Sequence, residues 1–303
     1  MTPKPHPSEE IVFDRSHPGP YGMAIALSPL VRRVVANNPG PFTFTGTVTH
    51  IIGSGTVAVL DPGPDDPDHI AAIMAATAGE TISHILVSHT HRDHTDGVEA
   101  LRAMTNAPIW GCAPAENATP GGLDAAISTA YVPDRVLTHG EAFAVGNWTL
   151  ETVATPGHAR NHLSFALREG RALFSGDHVM AWSTSVVAPP DGNMKQYKES
   201  LRLLLARGED IYYPAHGPSL NNAKAYVVAL LAHREKRETQ ILEALRHGGK
   251  TVPQIVAAVY DNLAFGLRGA AGLSVLAHLE ELQERGTVRA DVDVGEPVYR
   301  IPS

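Results

Sequence analysis

Residues 86–97 read LVSHTHRDHTDG, and this dozen constrains the chain more than any other stretch. Three histidines and an aspartate (His89, His91, Asp93, His94) fall within six positions, directly behind the apolar run Ile85, Leu86 and Val87. The run reads as a buried strand, and side chains just past a strand end can be held rigidly on a short loop. A lone H-x-H arises often by chance. H-x-H-x-D-H is far more specific, and a chain that uses it as a metal site must bring further ligands to the same place.

Four other stretches offer such ligands in the same setting. VAVL ends in Asp61, LETVA leads through TPGH to His158, ALFSG ends in Asp177, and IYYPA ends in His216. Glycines and prolines around them (Pro156-Gly157, Gly176, Gly217-Pro218) fit tight turns that would aim the side chains. Taken together, the candidates form His89, His91 and His158, then Asp93, His94 and His216, with Asp177 left to bridge. Asp61 and Asp177 also have plain readings as turn formers at strand ends. A donor set of imidazoles and carboxylates without thiolate suits zinc, and equally iron or manganese. Three protein ligands per ion leave an open position for water, as catalytic sites do.

The surrounding elements predict an α/β chain. Phe42–Leu60 reads as antiparallel strands punctuated by Gly46, Gly53 and Gly55. Asp66 is placed to cap a helix with Pro67 at its first position, Ile70, Ile73 and Met74 on one face, and Gly79 as the stop. Asp96 and Glu99 read as a capping box opening a helix through Met104. A Gly/Pro-rich loop follows the Ile109-Trp110 strand; the strands 148–153, 163–167, 172–174 and 211–213 come next, with an amphipathic helix from Met194 to Gly208 among them. Two strand-rich halves that each carry helices predict a four-layer αββα sandwich over residues 1–221. Residues 222–303 read as three helices and a short β-ribbon, a winged helix, with Thr251 and Gln254 as a capping box.

Composition narrows the partners. The 303 residues carry a net charge of −8, the wrong sign for a protein whose whole surface grips nucleic acid. Residues 224–303 hold ten Lys and Arg against ten Asp and Glu, and the third tail helix sets Glu280, Glu281 and Glu284 against Arg285 alone. A duplex-reading helix is normally basic, so no duplex DNA partner is expected. One cysteine, Cys112, excludes an internal disulfide. No signal peptide or membrane span is readable, so a cytoplasmic protein without membrane contact is expected, alone or as a homo-oligomer.

At H-T-H-R-D-H, P-G-H, G-D and A-H-G, separated by 64, 19 and 39 residues, the chain resembles the metallo-β-lactamase superfamily. More narrowly, NNPGPFTFTGTVTHIIG and HREKRETQILEAL…AAGLSVLAHLEELQERG resemble the β-lactamase-like protein 2 group, which carries a C-terminal winged helix and includes a mitochondrial endoribonuclease. The resemblance implies two divalent metal ions. His89, His91 and His158 would hold the first; Asp93, His94 and His216 the second; Asp177 would bridge, and Asp61 would buttress the ligand loops. It further implies hydrolysis by a hydroxide between the ions, with Asp93 relaying a proton, and no protein nucleophile. Asp177 stands where β-lactamases of this superfamily commonly place a cysteine, which argues against antibiotic hydrolysis. The resemblance favours single-stranded RNA as substrate; a glyoxalase II-like thioesterase or a lactonase acting on a small ester is the alternative. The non-catalytic rival is a nucleic-acid-binding regulator using the winged helix. Residues 179–194, VMAWSTSVVAPPDGNM, are a candidate substrate wall on which Trp182, Ser183, Thr184 and Ser185 could meet substrate, or a mere connector. His162 and His178 lie near the site by sequence, whereas His50, His84, His233, His247 and His278 read as structural or surface residues.

Overall fold

The computed structural model describes residues 11–115, 126–260, 268–291 and 295–302. Most of the Gly/Pro-rich loop after Trp110 lies outside the described residues, as does the centre of the C-terminal ribbon.

Two mixed sheets form the centre of the N-terminal part. The first runs β1 (Ile25–Ser28), β2 (Val31–Val35), β3 (Val48–Ser54), β4 (Thr56–Leu60), β5 (Thr81–Val87), β6 (Ile109–Gly111) and β7 (Arg135–Val136), each beside the next. Its first four strands are antiparallel and the rest parallel. The second sheet has the order β12 (Ile211–Pro214), β11 (Ala172–Gly176), β10 (Leu163–Leu167), β9 (Trp148–Ala154), β8 (Ala142–Val145). It is antiparallel except for β11 and β12, whose parallel pairing requires the crossover helix α4 (Met194–Leu205).

Strand alternation sorts the layers. In β3, His50 turns to Phe174 and Tyr213 of the second sheet, whereas Thr49 turns to His69 of helix α1 (Pro67–Ala76). Ile51, Val59, Ile85, Phe165 and Phe174 belong to one continuous core that also takes in Ile70 and Ile73 of α1. On the far side, Val153, Ala166 and Leu173 meet Met194, Tyr197, Leu201 and Leu204 of α4. Helix, sheet, sheet, helix is the order expected from sequence.

The tail contains α5 (Ala223–Leu245), α6 (Val252–Val259), α7 (Arg268–Glu284) and the ribbon β13 (Arg289–Asp291) with β14 (Val298–Arg300). The capping box of Thr251 and Gln254 is formed. Helix α5 serves two cores. Its Ala223, Val227 and Leu230 pack with α4, while Ile241 and Leu245 join Ile255, Val275, Leu279 and Tyr299 in a separate tail core.

Three local expectations need correction. The Asp96–Glu99 capping box does not form: a short α2 (Arg92–Thr95) ends at Asp96, whose carboxylate instead takes Arg92 Nε at 3.0 Å, and α3 (Val98–Thr105) starts after Gly97. Gly97 is there because its backbone lies against residues 62–64, where a Cβ would meet Pro64 O at 2.9 Å. Helix α1 stops at Ala76, with Thr77 as its cap, before Gly79. Phe42–Thr47 is largely turn rather than strand, although Thr47 makes a single bridge to His216.

Candidate metal centre

Parallel strands with a common direction deliver their C-terminal ends to one edge. Asp61 follows β4, Ser88 and His89 follow β5, His158 follows β9, Asp177 follows β11, and His216 follows β12. Gly176, at φ +52°, turns the chain so that Asp177 enters the site, and a Cβ there would come within 2.5 Å of His162 Nε2.

All seven ligand candidates converge in two adjoining groups. His89, His91, His158 and Asp177 present donor atoms within 4.8 Å of one another, and so do Asp93, His94 and His216. Nδ1 of His91 lies 2.9 Å from His89 Nε2 and 3.1 Å from His158 Nε2. Asp177 spans the groups: Oδ2 stands 3.5 Å from His158 Nε2, while Oδ1 stands 3.3 Å from His216 Nε2 and 3.7 Å from His94 Nε2. Asp93 Oδ2 closes the second group, 3.2 Å from His216 Nε2 and 3.4 Å from His94 Nε2.

The outward-facing nitrogens test whether these rings are set to bind a cation. His158 Nδ1 donates to Val186 O at 2.6 Å and His216 Nδ1 to Gly46 O at 3.3 Å. His94 Nδ1 donates to Asp61 Oδ2 at 3.0 Å, and His89 Nδ1 meets Ser88 Oγ at 3.0 Å. An acceptor on the outer nitrogen puts the proton there and leaves the inner lone pair for a metal. Inside, His94 Nε2 and Asp177 Oδ1 are buried and make no hydrogen bond. Buried polar atoms are seldom left so, and convergent ones with lone pairs fit a cation. The residues fit two divalent ions.

Asp61 is the hub beneath them. Its Oδ1 accepts Ser88 N–H at 2.8 Å, and its Oδ2 accepts both Ser88 Oγ–H at 2.7 Å and His94 Nδ1–H. One carboxylate thereby orients a histidine of each group.

Charge follows the same division. Burial pushes His89 well down, with His94 and His91 adding repulsion; burial and the His158 ring hold His91 at about 3. Burial also opposes charge on His94 and His216. It is outweighed by Asp93, Asp177 and Asp61 around His94, and by Asp177 and Asp93 around His216, which rises to about 10. Burial alone would raise Asp93 and Asp177, yet His94 and His216 hold both carboxyls well below their usual range.

Two supports stand outside the ligand motifs: Thr47, which sequence reasoning missed, and His162, which it placed near the site with a strand-cap role equally open. Thr47 Oγ1 donates to Asp93 Oδ2 at 3.2 Å and is itself held by Asn38 Nδ2 at 3.1 Å. His162 Nε2 accepts the Asp177 backbone N–H at 3.1 Å, with its Nδ1 at Thr155 Oγ1 (2.8 Å). Nothing in the local text marks these contacts, which arise only when distant loops meet. His178 is buried beside Tyr197 and His162 and is not among the residues lining the pocket, and Cys112 is buried with burial pushing its thiol up.

A pocket of about 730 Å³, its open mouth included, lies over the centre. His91, Asp93, His158, Asp177 and His216 form its floor. Its walls come from Phe42, Ile127, Met180, Val186 and Ala188, with Asp191 as the further charged residue among the described lining. The segment after Asp177 does supply a wall, but through Met180, Val186, Ala188 and Asp191 rather than Trp182–Ser185. Trp182 stacks on Phe44 at 4.9 Å, and Ser185 Oγ donates to His178 O at 2.8 Å. Among the described residues no helix is long and apolar enough to cross a membrane.

Comparison with known proteins agrees with this geometry. Residues 42–216 match the family model of the metallo-β-lactamase superfamily, and residues 251–296 match that of the β-lactamase associated winged helix domain. An atrochrysone carboxyl ACP thioesterase of Aspergillus novofumigatus is 31% identical, over 88% of this chain and 82% of its own. A β-lactamase-like protein 2 homolog of Caenorhabditis elegans is 32% identical, over 86% of this chain and 87% of its own. Among solved structures, a β-lactamase domain protein from Burkholderia ambifaria superposes with a TM-score of 0.79 at 20% identity, covering 95% of both chains.

Proposed function

The chain belongs to the metallo-β-lactamase superfamily, and from that premise we propose that it is a metal-dependent hydrolase of acyl thioesters. The catalytic part is residues 1–221, and the winged helix is residues 222–303. His89, His91 and His158 would hold a first divalent ion and Asp93, His94 and His216 a second, with Asp177 placed between the two groups. Zinc is the ion proposed, and iron or manganese would suit the same nitrogen and carboxylate donors. When bound, the pair of ions activates a water and polarises the scissile carbonyl.

The chain's own groups do the rest. Asp61 and Ser88 keep His94 and His89 in the tautomer that faces inward. The apolar walls exclude water from the acyl group and orient its carbonyl toward the floor. Asp93, held by Thr47 through Oδ2, would pass a proton from the attacking water to the leaving thiolate.

The observation that carries this reading is the wall: Phe42, Ile127, Met180, Val186 and Ala188, with a carboxylate and no Lys or Arg among the described lining. An acyl chain is matched by such a surface, whereas a phosphodiester backbone asks for cations. The thioesterases among the relatives support the same choice. The single-strand nuclease stands second, supported by the likeness to the β-lactamase-like protein 2 homolog and opposed by the charge of −8.

The test is a parallel panel on metal-replete enzyme: acyl thioesters of graded chain length, a lactone, and a single-stranded RNA. The expected result is a thioester kcat/KM that rises with acyl length and exceeds the other classes. RNA cleavage outpacing every thioester would overturn it.

A further inference from the structure

On the reading that His158 binds the first ion, we propose that Arg234 is a positioning residue for His158, through which the C-terminal helices hold the first metal site in register. Arg234 lies on α5, on the face that carries Val227 and Leu230 into the core shared with α4. It is 3% exposed, unusual for a guanidinium, which is seldom buried without a specific partner. Its partner is a backbone atom. Nη2 donates to Ser185 O at 2.5 Å, and the guanidinium sits 5.1 Å over the Tyr197 ring.

The next carbonyl along, that of Val186, receives His158 Nδ1–H at 2.6 Å. A carbonyl can only accept, so this bond fixes the proton on Nδ1 and leaves Nε2 as the lone pair facing His91 and Asp177. Two consecutive peptide groups therefore link them: the carbonyl of 185–186 takes Arg234 and the carbonyl of 186–187 takes the ligand imidazole. Two further bonds stop the segment from sliding. Ser185 Oγ and Tyr197 OH both donate to His178 O, at 2.8 and 3.1 Å. Arg234 is the member of this set that comes from α5, a helix whose far end builds the tail core. The tail thus reaches the metal centre by a path of four residues, Arg234, Ser185, Val186 and His158, with no tail residue among the described lining of the pocket.

The expected consequence is selective. Outer partners of metal ligands are worth about 10–100-fold in affinity, and Arg234 acts one peptide further out, so Arg234→Met should weaken the first site about ten-fold. The second site, whose histidines lean on Asp61 and Gly46, should not move.

The experiment is competitive metal titration of the full chain with a chelating indicator, for the parent, Arg234→Met, Arg234→Lys, His158→Ala and the double variant Arg234→Met/His158→Ala. Arg234→Lys, which keeps the charge and one donor, should fall between parent and Arg234→Met, at about three-fold. In the double variant the Arg234→Met effect should vanish, because its route of action is gone. Equal weakening of both sites, an unchanged first site, or an undiminished effect in the His158→Ala background would each overturn the proposal. Should Arg234→Met fail to fold, Arg234→Lys carries the same comparison with the same criteria. If His158→Ala itself retained parent binding, the ligand reading would fail, and with it the premise.

Discussion

Two buried clusters in this protein are made of the same residue types and meet different ends. At the joint between α4, α5 and α7, Glu238, His278 and Glu281 lie as close together as metal ligands do. Their cation is already there: Lys198 Nζ sits 2.8 Å from Glu238 Oε2 and 2.7 Å from Glu281 Oε1, with Arg285 also bonded to Glu238. His278 is buried and kept uncharged, pushed well down by burial and then by Arg234 and Lys198. At the pocket floor, every ion pair recorded for Asp93 and Asp177 is to a histidine. The protein brings no ammonium or guanidinium of its own to that cluster among the described residues. Composition alone does not make a metal site; what counts is whether the chain has supplied the positive charge.

The comparison can be broken first at Lys198. Lys198→Met leaves Glu238 and Glu281 facing each other in a buried place, and removing one partner of such a pair costs about 3–5 kcal/mol. Denaturant unfolding should show that loss while metal content at the pocket stays at the parent level. A loss within experimental error would mean that Lys198 does not serve as the cluster's cation.

Asp61→Asn comes next. The amide keeps the shape but withdraws the charge on which Ser88 and His94 lean, and the expected fall in metal affinity is about 10–100-fold. Parent-level affinity would remove Asp61 from the account.

A smaller effect is expected at Thr47, whose single bond to Asp93 is worth about 1.5 kcal/mol, or roughly ten-fold in rate. Thr47→Val should lower kcat with the fold intact, and a change in KM alone would contradict this. Smallest of all is duplex binding. A tail without net charge should give the full chain no salt-dependent affinity for duplex DNA, and a steep slope in a salt titration would refute that.

What could be read from sequence follows the same division. The ligand candidates were legible because their motifs follow apolar strands, one or two residues on for His89, Asp177 and His216 and four to seven for His91, Asp93, His94 and His158: HTHRDH, TPGH, SGD, PAHG. The sandwich and the tail followed from strand and helix periodicity. Asp96 and Glu99 misled because the capping pattern is local, while Asp96 was already taken by Arg92 and the helix was broken at Gly97 by its contact with residues 62–64. Thr47, Ser88 and Arg234 were not legible as supports, whereas His162 was placed near the site with a strand-cap role equally open. Ser88 and Arg234 each act on a carboxylate or carbonyl far away in the chain, at separations of 27 and 49 residues. His278 read as a packing residue, which it is, but the acidic neighbours that resemble a metal site come from α5 and from its own next turn.

The central claim is that two ions are held by two groups joined through Asp177, and metal content by elemental analysis after identical purification tests it most directly. The account predicts about two ions per chain for the parent, about one for His89→Ala and for His94→Ala, and fewest for Asp177→Ala, because its carboxylate offsets the repulsion of the pair. Asp177→Ala with two ions and parent-like hydrolysis would contradict it.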